Sequence, residues 1–250
     1  MTALVTGGSG GLGRAVAAAL AAHGHDVAVQ WRHDRAGADR AAALVEGHGR
    51  RAALVHADLA VDDAAQLDAV CTRVLDEAEA ALGPIDVVVL GAAAQQLTPW
   101  DDTDTATWDR VMAAGLRPSA ALLRVAGARL RPGSAIATIG SIEGLRPARG
   151  HAPYAVSKAA LHHLTAAAAA ELGPRGIRVV GVAPGLIDRP GLSSDWPEGV
   201  SRWAAATPLG RPVTADEVAA AVAFLVSQVA SGITGTTLVV DAGWSAGPAW

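Results

Sequence analysis

Short apolar runs rich in valine and alanine alternate with longer alanine-rich segments along the chain. The longer segments carry apolar residues at helical spacing, and the clearest of them predict helices over Leu12–Ala22, Ala64–Ala81, Trp108–Leu130, Tyr154–Leu172 and Ala215–Val226. The short runs predict seven strands: Ala3–Thr6, Val27–Trp31, Ala52–His56, Ile85–Leu90, Ala135–Ile139, Arg178–Val182 and Thr237–Val240. This alternation is typical of a doubly wound α/β fold, whose mostly parallel sheet carries helices on both faces.

The length and composition indicate one domain with a large core. The chain has 250 residues, of which 51% are hydrophobic and 18% are charged. Sheet-containing folds of this length often form a single domain, so we predict one domain over residues 1–250. Residues 186–212 alone interrupt the alternation of predicted strands and helices. They contain several prolines and glycines together with Trp196 and Trp203. Such a stretch is typical of a substrate lid, and a packed surface excursion is the alternative.

Charge and cysteine content exclude several classes of partner. The formal net charge is -4 and the arginines are scattered, which disfavours nucleic acid as a partner. The apolar runs are shorter than the roughly 18 residues that span a bilayer. Cys71 is the single cysteine, and the adjacent His162 and His163 point to different helix faces, so we expect no metal site. We expect a soluble cytoplasmic protein without nucleic-acid or membrane partners.

A glycine-rich turn follows the first predicted strand and leads directly into a helix. It reads Thr6-Gly7-Gly8-Ser9-Gly10-Gly11-Leu12-Gly13. Glycines let the backbone turn tightly and approach a pyrophosphate, whose negative charge is favoured by the helix N-terminus. A strand before and a helix after the turn make a dinucleotide site a specific prediction.

The end of the second predicted strand bears on the choice of dinucleotide. An NAD site places an acid there for the ribose 2′-hydroxyl, whereas an NADP site needs a cation for the 2′-phosphate. The strand ends in Trp31 without an acid, and Arg32 follows it. We therefore expect NADPH to be preferred over NADH. Asp34 is the alternative acid, and Arg32 is otherwise an ordinary surface arginine.

The only tyrosine and the only lysine of the chain, Tyr154 and Lys158, lie four residues apart at the start of a predicted helix. That spacing places them on one face, where an ammonium lowers the pKa of a phenol. Such a tyrosine can exchange a proton with a carbonyl oxygen. Ser141, at the end of the fifth predicted strand, is placed to hydrogen-bond that oxygen. We predict that these three residues are catalytic.

Together these motifs resemble the short-chain dehydrogenase/reductase family, whose fold is a Rossmann fold, over nearly the whole chain. The turn matches TGxxxGxG, Tyr154 and Lys158 match YxxxK, and Ser141 matches the family serine. The resemblance implies that Tyr154 is the acid/base, that Lys158 holds the nicotinamide ribose and lowers the tyrosine pKa, and that Ser141 orients the carbonyl. It also implies a homodimer or homotetramer built on the helices after strands four and five.

The resemblance extends the cofactor site to further positions. It implies that Asp58 and Leu59 border the adenine pocket and that backbone groups at Pro184, Gly185 and Ile187 contact the nicotinamide carboxamide. Cofactor contacts are thus expected from residues of all these segments: Thr6, Gly7, Ser9, Gly11, Leu12, Gly13, Arg32, Asp58, Leu59, Ala92, Tyr154, Lys158, Pro184, Gly185 and Ile187.

Three positions depart from the family pattern. The NNAG segment is here Leu90-Gly91-Ala92-Ala93, and the asparagine of the following helix, which is thought to support a proton relay to Lys158, is Gly115. We expect a void beside Gly115 that can hold a water. A threonine of many relatives is here Arg189, whose role Asp188 or a backbone group could take.

We therefore predict an NADPH-dependent carbonyl reductase that transfers hydride to a ketone, such as a secondary metabolite or polyketide intermediate. Gly115 motivates two alternatives. One is reduction of a C=N bond, as in pterin or imine reductases. The other is a non-catalytic NADP(H)-binding protein, which the retention of the single tyrosine and the single lysine disfavours.

Overall fold

The computed structural model of the chain describes residues 1–93, 95 and 97–247. Within them a single sheet has the strand order β3-β2-β1-β4-β5-β6-β7, and every neighbouring pair is parallel. The strands are β1 (Thr2–Val5), β2 (Asp26–Trp31), β3 (Ala52–His56), β4 (Val87–Leu90), β5 (Ala135–Ile139), β6 (Arg178–Pro184) and β7 (Thr237–Val240). This is the predicted doubly wound Rossmann fold, with a wholly parallel sheet.

Helices connect the strands, and the aspartates Asp34, Asp63 and Asp104 cap three of them with side-chain hydrogen bonds. The helices are α1 (Gly11–Ala22), α2 (Arg35–Gly47), α3 (Ala64–Leu82), α4 (Thr105–Ala114), α5 (Leu116–Arg129), α6 (Ala152–Leu172), α7 (Leu192–Asp195), α8 (Pro197–Ala206) and α9 (Ala215–Val226). No helix of the described chain is long and apolar enough to cross a membrane.

The sheet has a hydrophobic core on each face, which explains why its strands are apolar runs without polar alternation. Ala3 and Val5 of β1 pack with helices α1, α2 and α9 on one face. Leu4, between them, packs with α3, α5 and α6 on the other face. Cys71 is fully buried in this second core, as expected for a small apolar side chain, and burial raises the pKa of its thiol to about 11.

Two predicted elements differ in detail. The helix predicted over Trp108–Leu130 is two helices, because the backbone breaks at Gly115, where φ is -130° and ψ is -62°. Residues 186–212, predicted without regular structure, contain the short helices α7 and α8. Pro197 starts α8 at a position where a missing N–H costs nothing, so the proline that suggested a loop is a helix start.

Candidate active site

The predicted functional residues converge at one edge of the sheet, where the carboxyl ends of the parallel strands meet. The glycine turn follows β1, residues 91–93 follow β4, and Ser141 follows β5. Gly185 and Ile187 follow β6 at the same edge. The strand order places β1 next to β4, so the edge also contains the point where the chain reverses its direction of winding. Ligands of open parallel sheets bind at this point.

Thr6 joins the glycine turn to the segment after β4. Its hydroxyl accepts hydrogen bonds from the backbone N–H groups of Gly91 and Ala92, at 3.0 and 3.2 Å. Gly7 adopts a positive φ of 66°, and a Cβ there would lie 3.1 Å from the Ala92 backbone. The segment beginning at Gly91 is therefore packed directly against the turn.

The start of α1 fits the pyrophosphate of a dinucleotide. Its N-cap residue, Gly10, supplies no side-chain hydrogen bond, and the first turn contains no acidic residue, so N–H groups remain for an anion. A Cβ at Gly13 would stand 2.7 Å from the Cα of Gly8, whereas a Cβ at Gly11 would meet nothing within 4 Å. Gly13 is thus required for close packing, and Gly11 borders open space in front of the helix.

Gln30 supports this turn, and the sequence analysis did not identify it. Its side chain is buried in β2, where Oε1 accepts from the Gly7 N–H at 2.9 Å and Nε2 donates to the Ala57 carbonyl at 2.7 Å. The amide therefore ties the ends of β1 and β3 together. The sequence signal that could have identified Gln30 is its polar side chain within the otherwise apolar run of β2.

At the tip of β2, Arg32 forms a salt bridge with Asp58, with 2.8 Å between Nη2 and Oδ2. Both side chains are about half exposed, at 45% and 46%. Asp34, the alternative acid, caps α2 by accepting from the Gly37 N–H at 2.7 Å. The structure thus brings together two residues that were assigned separately to the 2′-phosphate and to the adenine.

Ser141, Tyr154 and Lys158 lie together between the end of β5 and the first turns of α6. Lys158 is only 5% exposed, and its Nζ donates to the Ile139 carbonyl at 2.8 Å and lies 5.5 Å from the Tyr154 ring centroid. Ser141 starts a 3-10 helix over Ile142–Gly144, and its hydroxyl accepts from the Glu143 N–H at 3.1 Å. The predicted set is therefore assembled around one small region.

Burial dominates the electrostatics of this set. It raises the pKa of Tyr154 to about 12; the Ser141 hydroxyl opposes this shift and the Glu143 carboxylate adds to it. Burial also lowers the pKa of Lys158 to about 8. The net pKa of Tyr154 is therefore raised although the Lys158 ammonium lies nearby, because the cost of burying a phenolate dominates.

Comparison with known proteins supplies the family. Residues 7–245 match the family model described as enoyl-(acyl carrier protein) reductase. The oxidoreductase YmfI of Bacillus subtilis is 33% identical over 246 residues, which cover 97% of this chain and 98% of YmfI. The 3-oxoacyl-(acyl-carrier-protein) reductase FabG of Chlamydia muridarum is 34% identical over 251 residues, covering 96% of each chain. A solved short-chain dehydrogenase of Burkholderia cenocepacia, in complex with NADP, superposes with a TM-score of 0.87 at 34% identity, covering 97% of both chains.

The chain belongs to the short-chain dehydrogenase/reductase family. It is therefore an oxidoreductase acting on CH–OH or C=O groups. Proteins of this family bind a nicotinamide cofactor, act on small molecules and commonly form oligomers.

The departures of this dehydrogenase/reductase from the family pattern have local explanations. A Cβ at Gly91 would lie 2.9 Å from the Thr6 carbonyl oxygen, so the residue in place of the second asparagine lies too close to the turn for a side chain. A Cβ at Gly115 would meet no atom closer than 3.8 Å. The side-chain space predicted beside Gly115 is therefore present, and Gly115 itself forms the break between α4 and α5.

The residues after β6 connect the site to α7 and α8. Gly185 donates its N–H to the Val240 carbonyl at 2.9 Å, and Ile187 pairs with Val213 in an isolated parallel bridge. Arg189, in place of the family threonine, forms an exposed salt bridge with Asp195 of α7 at 2.8 Å. Trp203 of α8 stacks on Trp244 with 5.3 Å between ring centroids, whereas Trp196 is 46% exposed.

Two histidines near the dehydrogenase site were not assigned a role there by sequence. His162 lies one turn after Lys158 on α6, and its Nε2 accepts from the Ser141 N–H at 3.4 Å. His151, at the N-cap of α6, pairs with Glu143 at 2.6 Å. Both distances depend on how β5 packs against α6, which the sequence does not give. Among the described residues there is no cluster of three or more potential metal ligands.

Proposed function

We propose that the protein is an NADPH-dependent carbonyl reductase that reduces a ketone, with Tyr154 as the proton donor. The observation that carries this proposal is the position of Tyr154, partly buried beside the Ser141 hydroxyl, at the sheet edge that also holds the glycine turn. A phenol whose pKa is raised to about 12 keeps its proton at neutral pH. The tyrosine therefore carries a proton that it can transfer to the substrate oxygen during reduction.

Each residue of the set has a distinct proposed task. The bound nicotinamide cofactor supplies the hydride. Tyr154 donates its proton to the carbonyl oxygen, and the Ser141 hydroxyl holds that oxygen in place. Lys158, fixed by the Ile139 carbonyl, retains further N–H donors for the cofactor ribose and stabilises the phenolate that forms when the proton leaves.

The NADPH preference rests on the end of β2. Arg32 places a guanidinium there, and Asp34 is engaged as the cap of α2. Asp58 holds the Arg32 guanidinium at the end of β2 through their salt bridge. We propose that the 2′-phosphate of NADPH competes with Asp58 for this guanidinium. The NADP complex of the Burkholderia relative supports this assignment. Predicted contacts of Ser9, Leu12, Leu59 and Ala92 with the cofactor remain part of the same proposal.

The proposed substrate is a ketone covered by a lid over residues 186–212, such as a secondary metabolite or polyketide intermediate. The name of the Chlamydia relative describes reduction of a 3-oxoacyl group on an acyl-carrier protein, which supports a ketone as the reacting group. Helices α7 and α8 follow β6 directly, and the exposed Trp196 at their junction offers apolar contact. The stacked Trp203 and Trp244 anchor α8 to the segment after β7.

We also propose a homodimer or homotetramer. Exposed apolar side chains support this assembly at the edge of the sheet beside β7 and α9, where Phe224 is 44% and Leu238 is 41% exposed. Sedimentation of the purified protein tests the proposal, because a monomer over the micromolar range would contradict it.

The reductase proposal is tested by NADPH oxidation with a panel of ketones. Wild type should turn over at least one ketone, and Tyr154→Phe should lose at least about 10²-fold in kcat, the range of general acid catalysis. Cofactor binding and thermal unfolding of Tyr154→Phe serve as controls and should match wild type. Undiminished turnover by this variant would contradict the role of Tyr154. Preferred turnover of a dihydropteridine or an imine would favour C=N reduction, and tight NADPH binding without any turnover would favour a non-catalytic role.

A further inference from the structure

Glu143 and His151 form a polar pair beside Tyr154, the proposed proton donor. The proposed reduction assigns no role to this pair. The Nδ1 atom of His151 is 2.6 Å from Oε2 of Glu143. The two side chains are only 15% and 17% exposed. Glu143 belongs to the 3-10 helix after Ser141, and His151 is the residue before α6 begins. The pair therefore bridges the two segments that carry Ser141 and Tyr154.

The pair faces the reacting group. The His151 ring lies edge-on to the Tyr154 ring, with 6.4 Å between centroids, and the Glu143 carboxylate adds to the rise that burial causes in the Tyr154 pKa. A substrate whose carbonyl oxygen sits between Ser141 and Tyr154 is therefore expected to place its adjacent carbons near Glu143 and His151.

Glu143 retains acceptor capacity among the residues that the structure describes. Its Oε2 contacts Nδ1 of His151, while the polar contact of Oε1 with these residues is Gln95 Nε2 at 3.5 Å, at the limit of a hydrogen bond. A carboxylate offers about four lone-pair sites. A nearly buried carboxylate with acceptor capacity left over is costly unless a donor reaches it.

We propose, on the basis of the proposed ketone reduction, that Glu143 and His151 recognise a hydroxyl group on a carbon close to the substrate carbonyl. The preferred substrate is then a hydroxylated ketone rather than a plain one. A hydroxyl donates to Glu143 Oε1, while His151 orients that carboxylate through the contact between Nδ1 and Oε2. The ammonium of Lys158, buried beside Tyr154, opposes a second cation here, so a hydroxyl is favoured over an amine.

Two exposed apolar side chains near the pair suit the rest of such a substrate. Leu97 lies beside Gly150, the residue before His151, and is 70% exposed. Leu145 follows the 3-10 helix of Glu143 and is 52% exposed. These two side chains offer apolar contact to the part of the substrate beyond the carbons nearest the carbonyl.

The test uses three ketones of one carbon skeleton, chosen from the best substrate of the ketone panel. The simplest set is butan-2-one, 3-hydroxybutan-2-one and 3-aminobutan-2-one. Wild type should show a kcat/KM about tenfold or more higher for the hydroxy ketone than for the parent, as expected for a hydrogen bond to a charged group. The amino ketone should show no such gain.

Glu143→Ala should reduce the hydroxy-to-parent ratio of kcat/KM to near one, mainly through a higher KM for the hydroxy ketone. The ratio of the two kcat/KM values isolates the contact with the hydroxyl. Any effect of the variant on Tyr154 changes kcat/KM for both ketones and therefore cancels in the ratio. Glu143→Gln, which retains the size of the side chain, should give an intermediate ratio if Glu143→Ala folds poorly. Glu171→Ala, at the exposed far end of α6, is the matched control and should keep the wild-type ratio.

The outcomes separate this inference from the proposed function. Ketone turnover with a ratio near one in wild type, or with a ratio unchanged in both Glu143 variants, would overturn the inference and leave the reductase intact. A gain for the amino ketone instead of the hydroxy ketone would overturn the choice of a hydroxyl. Absence of turnover with every ketone would overturn the proposed function and the inference together.

Discussion

The Nζ atom of Lys158 lies 5.5 Å from the ring centroid of Tyr154 while it donates to the carbonyl of Ile139. The lysine is thus anchored to the end of β5, the strand that also leads to Ser141. Burial is the largest cause of the pKa shifts of both residues, upward for Tyr154 and downward for Lys158. The pair is consequently arranged for a protonated tyrosine.

Lys158 makes stability depend on pH. Its pKa falls from the ordinary 10.5 to about 8 on burial, so the folded protein binds fewer protons than the unfolded chain between these values. The free energy of unfolding of wild type should therefore rise from pH 8 toward 10.5, by up to about 3 kcal/mol. Lys158→Met should lack this rise. Urea unfolding of both proteins from pH 7 to 9.5 measures the difference, and parallel curves would contradict the buried ammonium.

Gly13 and Gly11 should respond differently to alanine. A Cβ at Gly13 collides with the backbone of the turn, whereas a Cβ at Gly11 has no neighbour within 4 Å. Gly13→Ala should lose about 1–3 kcal/mol of stability, the cost of overpacking, and should bind NADPH poorly. Gly11→Ala should keep its stability and weaken NADPH binding alone. Calorimetric titration and thermal unfolding test both, and equal stability losses would contradict the packing.

The His162 ring packs against Gly140, and we expect this contact to hold the next residue, Ser141, in its position. A Cβ at Gly140 would collide with the His162 ring, including a 2.6 Å contact with its Cδ2 atom. Gly140→Ala should lower kcat about tenfold or more by displacing Ser141. Adding His162→Ala should restore much of the loss by creating room. His163→Ala, an exposed neighbour on α6, is the control for the helix. A double variant no better than Gly140→Ala would show that the backbone near Val182 is the obstacle instead.

Arg32 and Asp58 should affect cofactor choice in opposite directions. Arg32→Ala removes the proposed phosphate ligand and should lower kcat/KM for NADPH about tenfold or more, with little change for NADH. Asp58→Asn releases the guanidinium from its 2.8 Å salt bridge and should improve NADPH relative to NADH. Steady-state kinetics with both cofactors measure the ratio. Equal effects of Arg32→Ala on the two cofactors would contradict a 2′-phosphate contact.

The sequence alone determined the layered fold and most of the site. Apolar runs of four to seven residues can be buried only between two helix layers, so the order of strands and helices followed from their spacing. The glycine turn was equally readable, because its glycines serve backbone geometry within a few residues of chain. The spacing of Tyr154 and Lys158 placed both on one helix face for the same local reason.

The tertiary structure decided what depends on contacts between distant segments. The buried amide of Gln30, the salt bridge of Arg32 with Asp58 and the pair of Glu143 with His151 each join segments whose approach no local pattern encodes. The pKa of Tyr154 shows the physical reason most directly. Helical spacing places an ammonium one turn from the phenol, but the net pKa shift of Tyr154 is upward because burial, set by the packing of β5 against α6, is its largest cause.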